Sequence, residues 1–411
     1  MYVRKNLGKT VEKVARDASS STYFASRAAF SSASSPPLRC TPLHALHLEH
    51  DANMTEFGGW DMPLFYKSLG IMKEHVHCRE SAGLFDVSHM LGVKITGKDR
   101  VAFAEKILPA DVQALRAGHG CLTSLPNDAG GLIDDCIVTN APNGDYLYLV
   151  INAGHEEKDL PHLNEHAKGF DVAVEPAYGQ GMVALQGPKA AEVLGRLLDD
   201  ESFDLESFEF MTAKELSVKG VPCFVTRSGY TGEDGFELSI PGDKTDHVAR
   251  AMLAEEEVGM VGLGARDSLR LEAGMCLYGN DIDDETTPIE AGLLWTIGKR
   301  RRKEGGFVGA DKILAQIKDK SLVTRKRVGV VLTKKGPPPR SHDKIYDAAG
   351  ERVVGEITSG VFGPTAKKPV AMGYVEKQFL KSGTPLKVEI RGKLRDIETS
   401  KMPFITPQYK K

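Results

Sequence analysis

Short runs of alternating or continuous apolar residues recur along the chain, and Gly, Pro, Asn or Asp bounds each run. Runs of this length and pattern are typical of β-strands. We therefore predict strands in five segments: MLGVKITG at 90–97, GLIDDCIVTN at 131–140, DYLYLVINAG at 145–154, MVALQG at 182–187 and FELSIPG at 236–242.

Other segments repeat apolar residues every three or four positions, which is the spacing of an amphipathic helix. A helix followed by a turn is also predicted where Leu43, Leu46 and His47 precede Gly58 and Gly59. Since strands and helices do not alternate one by one, the pattern indicates an α+β fold and not a βαβ repeat. The main helical segments are RVAFAEKILPA at 100–110, PKAAEVLGRLLDD at 188–200, DHVARAMLAEEE at 246–257 and ARDSLRLEAG at 265–274.

The pattern changes towards the C-terminus, between GKRRRKEGG at 298–306 and GPPPR at 336–340. Strand-like segments and turns dominate beyond this point, so we predict a separate C-terminal β domain from about residue 321. The basic run from Lys299 to Lys303 either docks an acidic partner protein or forms a solvated charged face.

The first 39 residues differ in composition from the rest, because they are rich in Arg, Lys, Ser and Ala and poor in acids. Segments of this kind are typical of organellar transit peptides. The alternative is a disordered basic tail that carries no targeting signal.

The overall charge excludes some classes of partner. The chain has 53 Lys and Arg against 56 Asp and Glu, a net charge of −3. This charge gives no long-range positive field that would attract nucleic acid or an anionic membrane.

No apolar run approaches the roughly 20 residues of a membrane-spanning helix. The six cysteines form no CxxC pair, so we expect free thiols and no metal centre.

Two adjacent carboxylates, Asp134 and Asp135, interrupt the apolar run at 131–140. Their side chains must leave a strand on opposite faces. Because apolar residues flank both, at least one carboxylate is expected to be partly buried, which is typical of a functional group. The alternative is a strand end at which Asp134 caps a turn and Asp135 is solvated.

Two further segments carry clustered polar residues. SGYTGEDGFELSI at 228–240 spaces three glycines around Tyr230 and Glu237, which suits either a ligand-binding turn or a plain hairpin. In ARDSLR, Arg266 and Arg270 are four residues apart and share a helix face. That helix is either part of a binding site or simply ion-paired.

Taken together, these and other motifs resemble the glycine cleavage T-protein family over residues 41–409. The motifs occur in the same order: FGGWDMPLFY at 57–66, GLFDVSHM at 83–90, GGLIDDCIV at 130–138, GYTGEDGFEL at 229–238, ARDSLRLEAGMCLYGNDID at 265–283, VAMGYV at 370–375 and SKMPF at 400–404.

The resemblance implies a three-domain, cloverleaf-like aminomethyltransferase fold with a C-terminal β-barrel. The expected organisation begins with a mitochondrial transit peptide at 1–39. A folate-binding body at 40–320 then comprises two interleaved domains, and the barrel occupies 321–411. The interleaved domains combine 40–91 with 178–280, and 92–177 with 281–320.

The resemblance also implies an activity. Members of the family take the methylene carbon from the aminomethyl-lipoyl arm of H protein and transfer it to tetrahydrofolate. The products are ammonia and 5,10-methylenetetrahydrofolate. Tetrahydrofolate is thus the expected co-substrate, no metal is expected, and lipoylated H protein and the other glycine cleavage subunits are the expected partners in the mitochondrial matrix.

By the same resemblance, Asp135 matches the family's catalytic carboxylate. Five other positions match residues that bind substrate or folate: Glu237, Arg266, Tyr409, Tyr230 and Asn152. Some aromatic folate contacts of bacterial relatives are aliphatic here, around Leu122 and Met275.

Three rival functions share this resemblance. A tetrahydrofolate-dependent demethylase would use much of the same scaffold. The folate domain of a dimethylglycine or sarcosine dehydrogenase would need a flavin domain with GxGxxG, which this chain lacks. A folate-binding scaffold for iron–sulfur assembly carries a KGCYxGQE-like stretch, whereas Cys276 here lies in LRLEAGMCLYGNDID.

Overall fold

A computed structural model of the protein describes residues 37–410. Most of the predicted transit peptide therefore lies outside the described residues. The described part contains nine α-helices, and none of them is long and apolar enough to span a bilayer. The helices are α1 (His44–Glu49), α2 (Ile71–Glu80), α3 (Arg100–Ile107), α4 (Glu156–Ala167), α5 (Ala190–Leu197), α6 (Gly242–Leu253), α7 (Leu263–Glu272), α8 (Arg301–Glu304) and α9 (Ala310–Lys318).

Nineteen strands are present in the same part of the chain. The first thirteen are β1 (Ala52–Phe57), β2 (Trp60–Tyr66), β3 (Ala82–Asp86), β4 (Leu91–Thr96), β5 (Gly120–Pro126), β6 (Leu132–Asn140), β7 (Leu147–Ile151), β8 (Ala173–Pro176), β9 (Gln180–Gln186), β10 (Ala213–Val218), β11 (Val221–Thr226), β12 (Gly235–Pro241) and β13 (Val258–Met260). The last six are β14 (Arg325–Leu332), β15 (Lys344–Tyr346), β16 (Val353–Gly363), β17 (Lys368–Glu376), β18 (Pro385–Ile390) and β19 (Lys393–Ser400).

A six-stranded sheet in the order β10-β11-β12-β9-β3-β13 forms one core. Its central strands are apolar on both faces because helices cover both. In β3, Leu84 packs into the cluster that contains α5 and α6, while Phe85 packs with Cys78 of α2 and Leu269 of α7. One-residue alternation thus explains the continuous apolar runs of these strands.

A five-stranded antiparallel sheet in the order β5-β6-β7-β4-β8 forms a second core with α3 and α4. In β6, Asp135 lies opposite Ser124 of β5. β6 also pairs with β7 through Ile137 and Val150, and the same register carried two residues further sets Asn152 beside Asp135. This sheet therefore brings the acidic pair and an amide together where β6 begins and β7 ends.

The last six strands close into a barrel in the order β14-β17-β16-β15-β18-β19. Helix α7 packs on β16 and β17 of this barrel. It also packs against α2, which lies on the six-stranded sheet. The predicted α+β fold with a C-terminal β-barrel is confirmed, and so are the five predicted strands and the four main predicted helices, within one to four residues at most ends. The helix predicted before Gly58 covers only His44–Glu49, because Ala52–Phe57 pair with Trp60–Tyr66 as a hairpin that turns at Gly58 and Gly59.

Candidate active site

A cavity of about 1150 Å³ lies where the two sheets and the barrel meet. Its wall combines residues from β5, β6 and β12 with the barrel strand β14 and the C-terminal tail. All six residues that the family resemblance singled out line this cavity: Asp135, Asn152, Tyr230, Glu237, Arg266 and Tyr409. Residues that are up to 274 positions apart in sequence are thus brought to one space.

The two adjacent aspartates of β6 have different environments. Asp134 is fully buried, and its carboxylate accepts hydrogen bonds from the backbone N–H of Asn152 at 2.9 Å and from Asn152 Nδ2 at 2.8 Å. Asp135 is half-buried on the opposite, cavity-facing side of the strand. The alternative of a turn-capping Asp134 beside a solvated Asp135 is therefore wrong.

Asp135 is held by the same amide, because Asn152 Nδ2 donates to its Oδ1 at 3.1 Å and to its backbone carbonyl at 3.0 Å. Burial and the neighbouring negative charge of Asp134 raise the pKa of Asp135 to about 7, although Asn152 and Arg266 act in the opposite direction. A carboxylic acid with a pKa near neutrality can exchange protons at physiological pH.

Glu237 projects from β12 into the cavity. Its Oε2 accepts a hydrogen bond from the Ser228 hydroxyl at 2.7 Å. Burial raises the pKa of Glu237, and Ser228 and Arg266 partly offset this effect. The carboxylate is therefore oriented by one hydroxyl while its remaining acceptor sites face the cavity.

Arg266 begins the second turn of α7 and points its guanidinium at Tyr230, with 4.6 Å between the guanidinium carbon and the ring centroid. Within residues 37–410 it has no ion-pair partner, unlike Arg270, which pairs with Asp267 and Asp281. The ion-paired-helix alternative thus holds for Arg270 only. Asp135 and Glu237 line the same cavity and their charges interact with Arg266, but neither lies within ion-pair distance of it. A buried guanidinium on a cavity wall can therefore bind the acceptor atoms of a ligand.

The C-terminal tail closes the cavity from the barrel side. Tyr409 stacks on Phe210, with ring centroids 4.6 Å apart and an interplanar angle of 24°. The backbone N–H of Gln408 donates to Gly232 at 2.8 Å, which fixes this tail to the glycine-rich loop between β11 and β12. The pair of rings forms a flat apolar surface of the kind on which aromatic ligands stack.

Leu122 and Met275, the positions expected to differ from bacterial relatives, also line the cavity. Several residues of this region were not predicted from sequence. They include Ser228, which orients Glu237; Trp295, which is 64 % exposed and lines the cavity; and Asp159, which is buried behind Asp134. No sequence motif marks Asp159. Trp295 could have been singled out, because the sequence places it four residues before the basic run that begins at Lys299.

The six cysteines are all free. Cys276 lines the cavity, but burial raises the pKa of its thiol to about 12. Because the thiolate is the reactive form, this side chain is an inert apolar wall at neutral pH.

The chain was compared with known protein families, with curated proteins and with solved structures. The family model described as "GCVT N-terminal domain" matches residues 43–301, and the one described as "Glycine cleavage T-protein C-terminal barrel domain" matches residues 325–405. A curated relative from Solanum tuberosum, "Aminomethyltransferase, mitochondrial", is 49 % identical over 92 % of this chain and 93 % of its own length.

A relative with the same printed name from Dictyostelium discoideum is 44 % identical over the whole of both chains. Among solved structures, the glycine cleavage system aminomethyltransferase T from Bartonella henselae is 40 % identical, with a TM-score of 0.84 over 90 % of this chain and 99 % of that one. These matches confirm the resemblance seen in the sequence motifs, and the chain therefore belongs to the glycine cleavage T-protein family of aminomethyltransferases.

Proposed function

We propose that this chain transfers the methylene carbon of an aminomethyl group, carried on the lipoyl arm of H protein, to tetrahydrofolate. The products are ammonia, 5,10-methylenetetrahydrofolate and the reduced lipoyl arm. The observation that carries this proposal is the cavity itself, where a half-buried carboxylate, an unpaired guanidinium and a stacking aromatic surface converge. The relatives from Solanum tuberosum and Dictyostelium discoideum are named as mitochondrial, and we propose the mitochondrial matrix for this chain.

Tetrahydrofolate fits this lining chemically. Its pterin has an edge of amino and ring N–H donors, which a carboxylate can accept with paired, charge-assisted hydrogen bonds. Glu237 supplies such a carboxylate, already oriented by Ser228. Arg266, Tyr230 and Tyr409 would orient the rest of the folate.

Asp135 is the proposed catalytic residue. As an anion it stabilises the positive charge that develops on the transferred carbon as ammonia leaves, and it can accept a proton during closure of the new ring. Its raised pKa makes both states accessible near pH 7. Asn152 holds the carboxylate in place, and accurate placement matters because two bound reactants must meet.

The domain limits expected from the resemblance remain a proposal. The described sheets support it, since β3 and β9–β13 lie within 82–86 and 180–260, β4–β8 lie within 91–176, and the barrel lies within 325–400. Arg39, the last residue of the proposed transit segment, contacts the ring of Trp60 at 4.3 Å and pairs with Glu156.

The basic run beside the cavity mouth is the proposed docking surface for H protein. Its arginines serve the fold: Arg300 pairs with Glu105 and Asp111, and the others bind Glu105 or backbone carbonyls. Lys299 and Lys303 are exposed and have no partner among the described residues. Along the chain they follow Gly298 and exposed Trp295, both of which line the cavity.

Reversing both charges, Lys299→Glu with Lys303→Glu, is expected to raise KM for H protein about tenfold at low salt, because electrostatic steering is lost. The kcat value should stay near that of the unmodified chain. The effect should shrink as ionic strength rises. A control with the same charge change on exposed lysines that do not line the cavity, Lys73→Glu with Lys393→Glu, should leave KM unaltered, and equal effects in both variants would exclude this surface.

The wild-type reaction tests the function directly. Aminomethyl-loaded H protein and tetrahydrofolate should together yield ammonia and methylenetetrahydrofolate in equal amounts, and omission of either reactant should abolish both products. Dimethylglycine or sarcosine in place of H protein tests the demethylase alternative. Folate binding without ammonia release would favour a binding scaffold, against which the inert thiol of Cys276 already argues.

A further inference from the structure

Helix α4 carries a third buried carboxylate, Asp159, close to Asp134 of β6. Asp159 is 0 % exposed, and neither of its carboxylate oxygens has a hydrogen-bond donor among the described residues. A carboxylate oxygen of Asp159 lies within 4.8 Å of one of Asp134. Two ionised carboxylates cannot hydrogen bond to each other, and an unpaired charge in such a place is strongly unfavourable.

The donors around this pair are distributed unequally. Asp134 accepts two hydrogen bonds from Asn152 and a third from His155 Nδ1 at 3.3 Å. Asp159 accepts none of these. The anion therefore belongs on Asp134, and Asp159 is the side that must carry a proton.

The charged groups near Asp159 act in both directions: Lys158 lowers the pKa of Asp159, whereas Asp134 and Asp284 raise it. Lys158 neighbours Asp159 on α4, but its amine donates to the Tyr278 hydroxyl at 2.7 Å and lies 3.5 Å from Asp284. Asp284 and Asp134 both add negative charge. Burial and the charge of Asp134 accordingly raise the pKa of Asp159 to about 10.

We propose that Asp159 is a positioning residue that stays protonated at physiological pH and donates its proton in a hydrogen bond to Asp134. The bonded Asp134 then anchors Asn152, which in turn holds Asp135 at 3.1 Å. Asp159 thus acts on the reaction through two other side chains. This inference deepens the proposed function and rests on it only for the role of Asp135.

A bound cation is the main competing explanation. Ligand-type atoms of Asp134, His155 and Asp159 lie within 4.8 Å of one another. However, His155 Nδ1 lies 3.3 Å from Asp134 Oδ1, and a ring nitrogen that donates to this anion has no lone pair left for a cation. Asp134 Oδ2 accepts only the backbone N–H of Asn152, so it has a free acceptor site for a proton donor. A single proton satisfies Asp159 without moving any of these groups.

The proton can be detected through the pH dependence of unfolding, with no substrate present. A buried carboxyl with a raised pKa binds a proton when folded and releases it when unfolded, so its contribution to stability falls as pH rises from its unfolded pKa towards 10. Asp159→Asn replaces the carboxylic O–H donor with an amide N–H donor that does not titrate. We compare the unfolding equilibrium constant of the wild type with that of Asp159→Asn. The ratio of the two should rise by up to about tenfold per pH unit between pH 5 and 9.

Three further results decide the matter. Asp145→Asn, an exposed control, should show no such trend. A pH-independent difference for Asp159→Asn would overturn the proposal.

If Asp159→Asn does not fold, the wild type alone should show the infrared carbonyl band of a protonated carboxylic acid at pH 9. Absence of the band would also overturn the proposal. Calorimetry with Mn²⁺ should detect no binding, whereas stoichiometric binding lost in Asp159→Asn would establish a metal site instead.

Activity provides the link to function. Asp159→Asn should retain nearly full kcat, because its amide donates the same hydrogen bond. Asp159→Leu should lower kcat about tenfold with little change in KM for folate, since only the placement of Asp135 is disturbed. Equal losses in both variants would contradict a donor role, and because the unfolding and infrared measurements need no substrate, they stand apart from failure of the proposed function.

Discussion

Replacing Asp135 with asparagine is expected to lower kcat for ammonia release by about 10²- to 10⁴-fold, the usual range for loss of a general acid or base. The amide has the shape of the carboxylate but can neither accept a proton nor stabilise developing positive charge. Folate binding, measured by calorimetry, should change little because Glu237, Arg266 and Tyr409 still line the cavity.

The pH dependence of kcat provides a second test of Asp135. The pKa of the Asp135 carboxyl is raised to about 7, so the active anion is lost as pH falls through that value. Wild-type kcat should accordingly rise from pH 6 to 8 and level off above, and the rise should be absent in Asp135→Asn. Asp145→Asn, an exposed control, should keep the wild-type profile, and a profile that survives in Asp135→Asn would remove Asp135 from the chemistry.

The local pattern of apolar and polar residues was sufficient to predict the strand and the helix that carry Asp135 and Arg266. The short apolar run at 131–140 identified the Asp134–Asp135 strand, because a strand with apolar residues on both faces gives such a run. The same reasoning placed Arg266 and Arg270 on one face of α7. It did not separate their roles, because Asp281, one of the two ion-pair partners of Arg270, lies in a loop beyond the helix, and Arg266 has no ion-pair partner within residues 37–410.

Helix α4 was not predicted, and the reason is physical. It contains Pro161, which lacks an N–H and is unfavourable by about 3 kcal/mol inside a helix. Tertiary packing of Leu163 against the second core outweighs this local preference. Asp159 was missed along with its helix, since nothing in the sequence indicates that residue 159 lies beside residue 134.

Convergence of the six site residues also could not be read from spacing. Asn152 reaches Asp135 through the β6–β7 register, and Tyr409 reaches the cavity because the tail binds Gly232. Both depend on long-range pairing, which local propensity does not encode. Here the family resemblance supplied what the residue pattern lacked.

Replacing Arg270 with methionine is expected to destabilise the protein by about 3–5 kcal/mol, the usual loss when one partner of a buried ion pair is removed. Arg270 is 1 % exposed and binds Asp281 Oδ2 at 2.6 Å and the Ser359 hydroxyl of β16 at 2.8 Å. Asp281 is equally buried, so its charge would be left without a cation. The change should appear as a lower urea midpoint.

The same arginine ties α7 and its following loop to the barrel, and all three contribute to the cavity wall. Weaker barrel docking should therefore also reduce folate affinity, although Arg270 itself is not a lining residue. Arg270→Met with Asp281→Asn should recover part of the stability, because no uncompensated charge remains. Arg196→Met, which removes an exposed arginine that pairs with three glutamates, should cost less than about 1 kcal/mol. A comparable loss at Arg196, or no recovery in the double variant, would show that burial of the Arg270–Asp281 pair is not what holds the barrel in place.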